Sequence, residues 1–93
     1  MKIDKTTLIK QSETQVSTPL GDETAILETR NGYYFSVAGV GSVIWDELKE
    51  AKTAEELCAT ISTRFDVDRV ECLNDVIGFL SELLELDLIT AQS

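Results

Sequence analysis

The feature that most constrains this chain is a change of hydrophobic period at Gly39-Val40-Gly41. Before it, runs rich in Thr, Val, Ile and aromatic residues suit strands, with a spacing of two; after it, apolar residues recur at the helical spacing of about 3.6. The chain therefore predicts strands first and helices second. The clearest strands are Glu23-Thr24-Ala25-Ile26-Leu27-Glu28-Thr29 and Tyr33-Tyr34-Phe35-Ser36-Val37, separated by Arg30-Asn31-Gly32. Asn-Gly favours positive φ and a tight reversal, so these two runs predict a hairpin. Upstream, Thr7-Leu8-Ile9-Lys10 and Gln15-Val16-Ser17-Thr18 are further strand candidates, and Pro19-Leu20-Gly21-Asp22 reads as a turn or loop.

Past the switch, Val40, Ile44 and Leu48 share one face of a helix expected over 40–51, with Trp45 beside them and Asp46, Glu47, Lys49 and Glu50 outward. Thr53-Ala54-Glu55-Glu56 has the form of a capping box, in which Thr53 accepts from an amide three residues on and Glu56 reaches back. It starts a second helix that runs to about Phe65 and buries Leu57 and Ile61, with Cys58 at an apolar-periodic position. Asp68-Arg69-Val70-Glu71 repeats the capping logic and starts a third helix, expected over 69–86. Leu88-Ile89-Thr90 reads as an extended tail or short strand.

The third helix carries two apolar stripes at about 100° per residue: Val70, Leu73, Ile77, Leu80 and Leu84 on one, Cys72, Val76, Phe79 and Leu83 on the other. One stripe is enough for the core of so small a domain. Either both flanks pack under the sheet and the other helices, or one forms the floor of a groove for a peptide side chain.

At 93 residues, 43% apolar and 27% charged, the chain fits one soluble domain, spanning 1–93. Its opening residues, Met1-Lys2-Ile3-Asp4-Lys5-Thr6-Thr7, contain no apolar core of signal-peptide length, and no apolar run reaches spanning length. The expectation is a cytoplasmic protein whose Cys58 and Cys72 stay thiols. There is no His, and two Cys without paired spacing make no zinc site, so neither a metal nor a cofactor is implied. Asp22-Glu23 and Glu55-Glu56 are adjacent carboxylates that suit a turn and a first helical turn better than catalysis. Gly32, Gly39 and Gly41 form no phosphate-cradling pattern. The expected function is recognition without chemistry, with no catalytic residue.

Strands followed by three helices predict an α+β, winged helix-turn-helix-like fold, a three-stranded antiparallel sheet followed by three helices. Such folds suggest DNA binding. With 17 acidic and 8 basic residues the formal charge is −9, and the candidate recognition helix sets Arg69 against Glu71, Asp75, Glu82 and Glu85, so phosphate is repelled. Neither nucleic acid nor an anionic membrane is an expected partner, and a winged-helix transcription regulator is the weaker reading. If 33–37 lies at a sheet edge, its unpaired backbone groups accept an extended peptide, whose alternate side chains then meet the third helix.

The run 23–27, Asn31-Gly32-Tyr33-Tyr34-Phe35-Ser36-Val37, Gly39 to Gly41, Ile44-Trp45-Asp46-Glu47-Leu48, Thr53-Ala54-Glu55-Glu56-Leu57, and Asp75-Val76 with Phe79-Leu80 and Leu83 resembles the pyrroloquinoline-quinone biosynthesis protein D-like family. The resemblance covers nearly all of the chain after about residue 20. Ile44-Trp45 and Gly32-Tyr33-Tyr34 are closer to its stand-alone lasso-peptide members, which are precursor-recognition elements for ribosomally made peptides. The resemblance implies binding of a precursor's leader segment by strand addition. It also implies presentation to a separate cysteine peptidase that removes the leader, before a cyclase closes the ring. The alternative it leaves is a peptide chaperone for a radical enzyme in a quinone-cofactor pathway. Carried onto this chain, the peptide-binding residues are Tyr33, Tyr34, Phe35, Ser36 and Val37 on the strand. On the third helix they are among Val70, Leu73, Asn74, Val76 and Ile77. Val37 stands where the family often has Leu.

Overall fold

A computed structural model describes residues 2–92, leaving Met1 and Ser93 outside the described residues. The elements run β1 (Leu8–Gln11), β2 (Gln15–Leu20), β3 (Glu23–Glu28), β4 (Tyr34–Ala38), α1 (Val40–Glu47), α2 (Ala54–Arg64), α3 (Arg69–Glu85) and β5 (Ile89–Gln92). Strands β2, β3 and β4 form a three-stranded antiparallel sheet in that spatial order, and the three helices follow it in the chain. This is the expected α+β arrangement. No helix among the described residues is long and apolar enough to cross a membrane.

Two boundaries differ from the sequence expectation, each for a physical reason. The turn placed at Pro19 to Asp22 is shorter, because β2 continues through Pro19 and Leu20, which pair with Thr24 and Glu23. Leu20 and Glu23 flank a two-residue turn and so form a hydrogen-bonded pair; alternation then points the N–H position of residue 19 at solvent. An edge strand tolerates proline there. The first helix stops at Glu47 rather than near Ala51, because residues 48–52 turn to pair with β1. Gln11 donates its amide to the Leu48 carbonyl at 2.9 Å, and Ile9 and Lys52 exchange backbone bonds at 2.8 and 2.9 Å. The tail forms β5, which pairs antiparallel with β1 from Leu8↔Gln92 to Gln11↔Ile89.

The capping predictions are met. Thr53 Oγ1 accepts from the Glu56 amide at 3.2 Å, while Glu56 Oε1 accepts from the Thr53 amide at 2.9 Å. Asp68 Oδ1 accepts from the amides of Val70 and Glu71 at 2.8 and 3.3 Å, starting α3. The core joins all layers: Ile9, Ile26, Trp45, Leu48, Leu57, Ile61, Leu80 and Leu88 are each at most 1% exposed. On α3 the buried residues are Cys72, Val76, Leu80 and Leu83, so the second apolar stripe plus Leu80 holds the helix to the domain. Both cysteines are free and buried.

Candidate functional site

Strand β4 is an edge. It pairs with β3 in the register Leu27↔Tyr34, Ile26↔Phe35, Ala25↔Ser36, Thr24↔Val37 and Glu23↔Ala38, and among the described residues no strand lies on its other side. The ladder begins where the Glu28 amide donates to the Tyr33 carbonyl at 2.8 Å. Alternation of close and wide pairs from that bond turns the N–H and C=O groups of Tyr34, Ser36 and Ala38 outward, unpaired. Tyr33 itself precedes the strand, in the connection closed by Gly32, whose φ of 74° suits glycine.

The edge is held in place by a residue that sequence reasoning placed only in a strand. Glu28 is 1% exposed, and its carboxylate accepts from the amides of Arg30 and Asn31 at 2.9 and 2.8 Å. The Arg30 guanidinium lies 3.4 Å from the same carboxylate and 3.1 Å from Asp87 beyond α3. Hydrogen bonding from the Arg30 amide, and then from Asn31, holds the Glu28 carboxyl below its ordinary range despite burial. The signal available in the sequence was the spacing: a carboxylate two and three residues before the amides of a hairpin loop.

Side chains of β4 alternate. Phe35 and Val37 are half-buried against the core, whereas Tyr34, Ser36 and Ala38 are exposed. Beside the strand, the N-terminal half of α3 leaves a groove of about 680 Å³ whose apolar floor is Val37, Val40, Ile44, Cys72, Val76 and Phe79. Gly41 permits this closeness, since a Cβ there would stand 3.3 Å from the Phe79 ring and 3.7 Å from Val37 Cβ. Asp66, Asp68, Glu71 and Asp75 line the same groove.

The structure thus brings Ser36, Val37 and Val76 of the candidate residues together at the groove. Phe35 and Ile77 pack against the core as Val37 does but lie outside the groove lining, and Val76, 2% exposed, belongs to the core beneath it. Tyr33 and Tyr34, 64% and 66% exposed, stand at the start of the edge, outside the groove lining. Val70, Leu73 and Asn74 line a separate hollow of about 370 Å³ with Lys5, Glu55 and Arg69. Cys72, Phe79, Ile44 and Gly41 were not among the candidates. The second stripe contained Cys72 and Phe79, but only the tertiary fold shows which stripe meets β4.

Among the described residues no three His, Cys, Asp or Glu side chains converge as a metal site would require. The two thiols bear on each other: burial first, and then hydrogen bonding and charge from Cys72, push the Cys58 thiol up to about 12. Cys58 is therefore not an activated nucleophile.

The model of the coenzyme PQQ synthesis protein D (PqqD) family matches residues 23–89. No curated protein matches the chain. Two solved structures do. One, "TbiB1 in complex with the TbiA(beta) leader peptide", shares 36% identity, with 86% of this chain and 93% of that chain covered and a TM-score of 0.82. The other, "Lasso peptide synthetase B1 complexed with the leader peptide", shares 13% identity over 88% of this chain and 96% of that one. Its TM-score of 0.79 speaks to the fold. From its strand-then-helix sequence, its three-stranded sheet with an open β4 edge and the family match over 23–89, the chain belongs to the PqqD family.

Proposed function

We propose that this protein binds the leader segment of a ribosomally synthesised precursor peptide, probing it as an added strand along β4. The supporting observation is the pairing of an unpaired edge with an apolar groove in a chain 36% identical to a protein solved with its leader peptide. Main-chain groups of Tyr34, Ser36 and Ala38 supply the ladder, and the groove takes alternate side chains against Val37, Val76 and Phe79. Tyr33 and Tyr34 flank the entry of the peptide. Of the helix residues named from sequence, Val76 supports the groove floor from the core, while Leu73, Asn74 and Val70 line the other hollow.

The protein acts as a presenter in the cytoplasm. It contributes no covalent step, and it delivers the bound precursor to a leader-removing cysteine peptidase and then a cyclase. Micromolar to nanomolar binding requires about 8–12 kcal/mol, which strand pairing with two or three apolar anchors can supply. Titrating the protein calorimetrically with the leader of a precursor encoded beside its gene tests the reading; saturable binding supports it, and no heat of binding removes it. A leader drawn from a lasso-type cluster rather than a quinone-cofactor cluster separates the two pathways the family allows.

A further inference from the structure

Four carboxylates stand at the groove: Asp66 and Asp68 in the connection between α2 and α3, and Glu71 and Asp75 one turn apart on α3. No Lys or Arg lines this groove. Two exposed carboxylates elsewhere do have cations, Glu55 with Lys5 at 3.7 Å and Asp46 with Lys49 at 2.9 Å. Among the described residues none of the four groove carboxylates enters an ion pair. Asp68 has the separate task of capping α3. Glu71 and Asp75, spaced i and i+4, repel each other and weaken the helix that carries them.

We infer that the leader carries a Lys or Arg that lies between Glu71 and Asp75 while a nearby aliphatic side chain occupies the apolar floor. This rests on the reading of the groove as the leader site. In an extended peptide, side chains two residues apart leave on the same side about 6.6 Å from one another. Anchor and cation are therefore two or four residues apart. A long cationic stem suits the place, because its methylenes lie along Phe79 and Val76 while its head reaches the rim. The same carboxylates turn away acidic peptides, so the rim selects as well as attracts.

The probe is a fluorescein-labelled copy of the leader encoded beside the gene, its affinity read by anisotropy at 10 mM and at 1 M salt. Neutralising the rim with Glu71→Gln and Asp75→Asn together weakens binding about five- to tenfold at low salt and less than about twofold at high salt. Neutralising Glu82→Gln and Glu85→Gln removes the same net charge from exposed positions outside the groove lining, and changes affinity by less than about twofold. Replacing the leader's cation by Gln reproduces the loss on the unaltered protein and adds nothing on the rim variant. A leader that binds without any Lys or Arg within four residues of its anchor overturns the inference and leaves the leader reading standing. So does an equal effect of rim and control variants. A leader that does not bind at all removes the leader reading itself, and the cation with it.

Discussion

The sheet has two edges, β2 and β4, and they are unlike. On β2 the outward backbone positions fall at Gln15, Ser17 and Pro19, so one of its three donors is missing; on β4 they fall at Tyr34, Ser36 and Ala38, and all three donors are present. Beside β4 runs the apolar groove formed with α3, whereas Pro19 borders a smaller hollow lined by Gly21, Asp46 and Arg64. An edge becomes a binding site when a complete ladder and a place for side chains coincide. Proline in the middle of each edge tests this most severely. Ser36→Pro removes an outward N–H without touching the bonds to β3, and is expected to weaken leader binding at least about tenfold, about 1.4 kcal/mol. Its cost to the fold stays near 1 kcal/mol, about 4–8 °C in melting temperature. Ser17→Pro on β2 leaves affinity within about twofold. Equal losses in calorimetry would mean that the ladder on β4 is not used.

The two flanks of α3 extend the contrast to side chains. Val37→Ser strips apolar surface from the groove floor and is expected to cost about 1 kcal/mol of binding, roughly fivefold, at about 0.8 kcal/mol per methylene. Val70, 71% exposed on the opposite flank, gives the comparison: Val70→Ser leaves both affinity and melting temperature nearly unchanged. If Val70→Ser weakens binding as much as Val37→Ser, the peptide lies on the hollow with Lys5 and Arg69 rather than along β4.

A smaller effect distinguishes the anchoring of the two edges. The β2–β3 turn needs only two residues, but the β3–β4 connection depends on the Glu28 carboxylate and its bonds to Arg30 and Asn31. Because the folded pKa of Glu28 is lowered from 4.5, its contribution to stability is present above that value and is lost as pH falls through the lowered one. Melting curves of Glu28→Gln are therefore expected below those of the unaltered protein at pH 7 and to converge on them in acid. The Asp4 carboxyl, lowered by bonds from Thr6 and Thr7, leaves a residual acid dependence in both. Parallel curves at every pH would remove Glu28 as the loop's anchor.

Local signals in the sequence were enough for most of the fold. The capping box at Thr53, the cap at Asp68 and the Asn31-Gly32 hairpin each depend on residues a few positions apart. What stayed hidden depends on distant partners. β1 and β5 pair across almost the whole chain, and that pairing with residues 48–52 shortens α1 in a way no helical period reveals. The candidate site was half legible for the same reason. The residues of 33–37 gave a strand, but the sheet order alone makes it an edge, and two apolar stripes on one helix look alike until the fold turns Cys72, Val76 and Phe79 toward β4.

The smallest expected effect concerns the thiols between those flanks. Cys72 lies on the groove floor and Cys58 lines the hollow opposite, so a thiol reagent reports on both sides of α3 at once. Burial and Cys72 push the Cys58 thiol up, so little of it is ionised at pH 8, and the thiolate is the reacting form. Cys58 is expected to react with a disulfide reagent orders of magnitude more slowly than in the urea-unfolded chain, and no faster when leader is bound. Cys72 is also buried, but a peptide seated in the groove covers its side of the helix, so bound leader slows its labelling further. Mass spectrometry of partly labelled protein assigns the two rates. Equal protection of both cysteines by leader would indicate tightening of the whole domain; protection confined to Cys72 locates the peptide on the β4 flank.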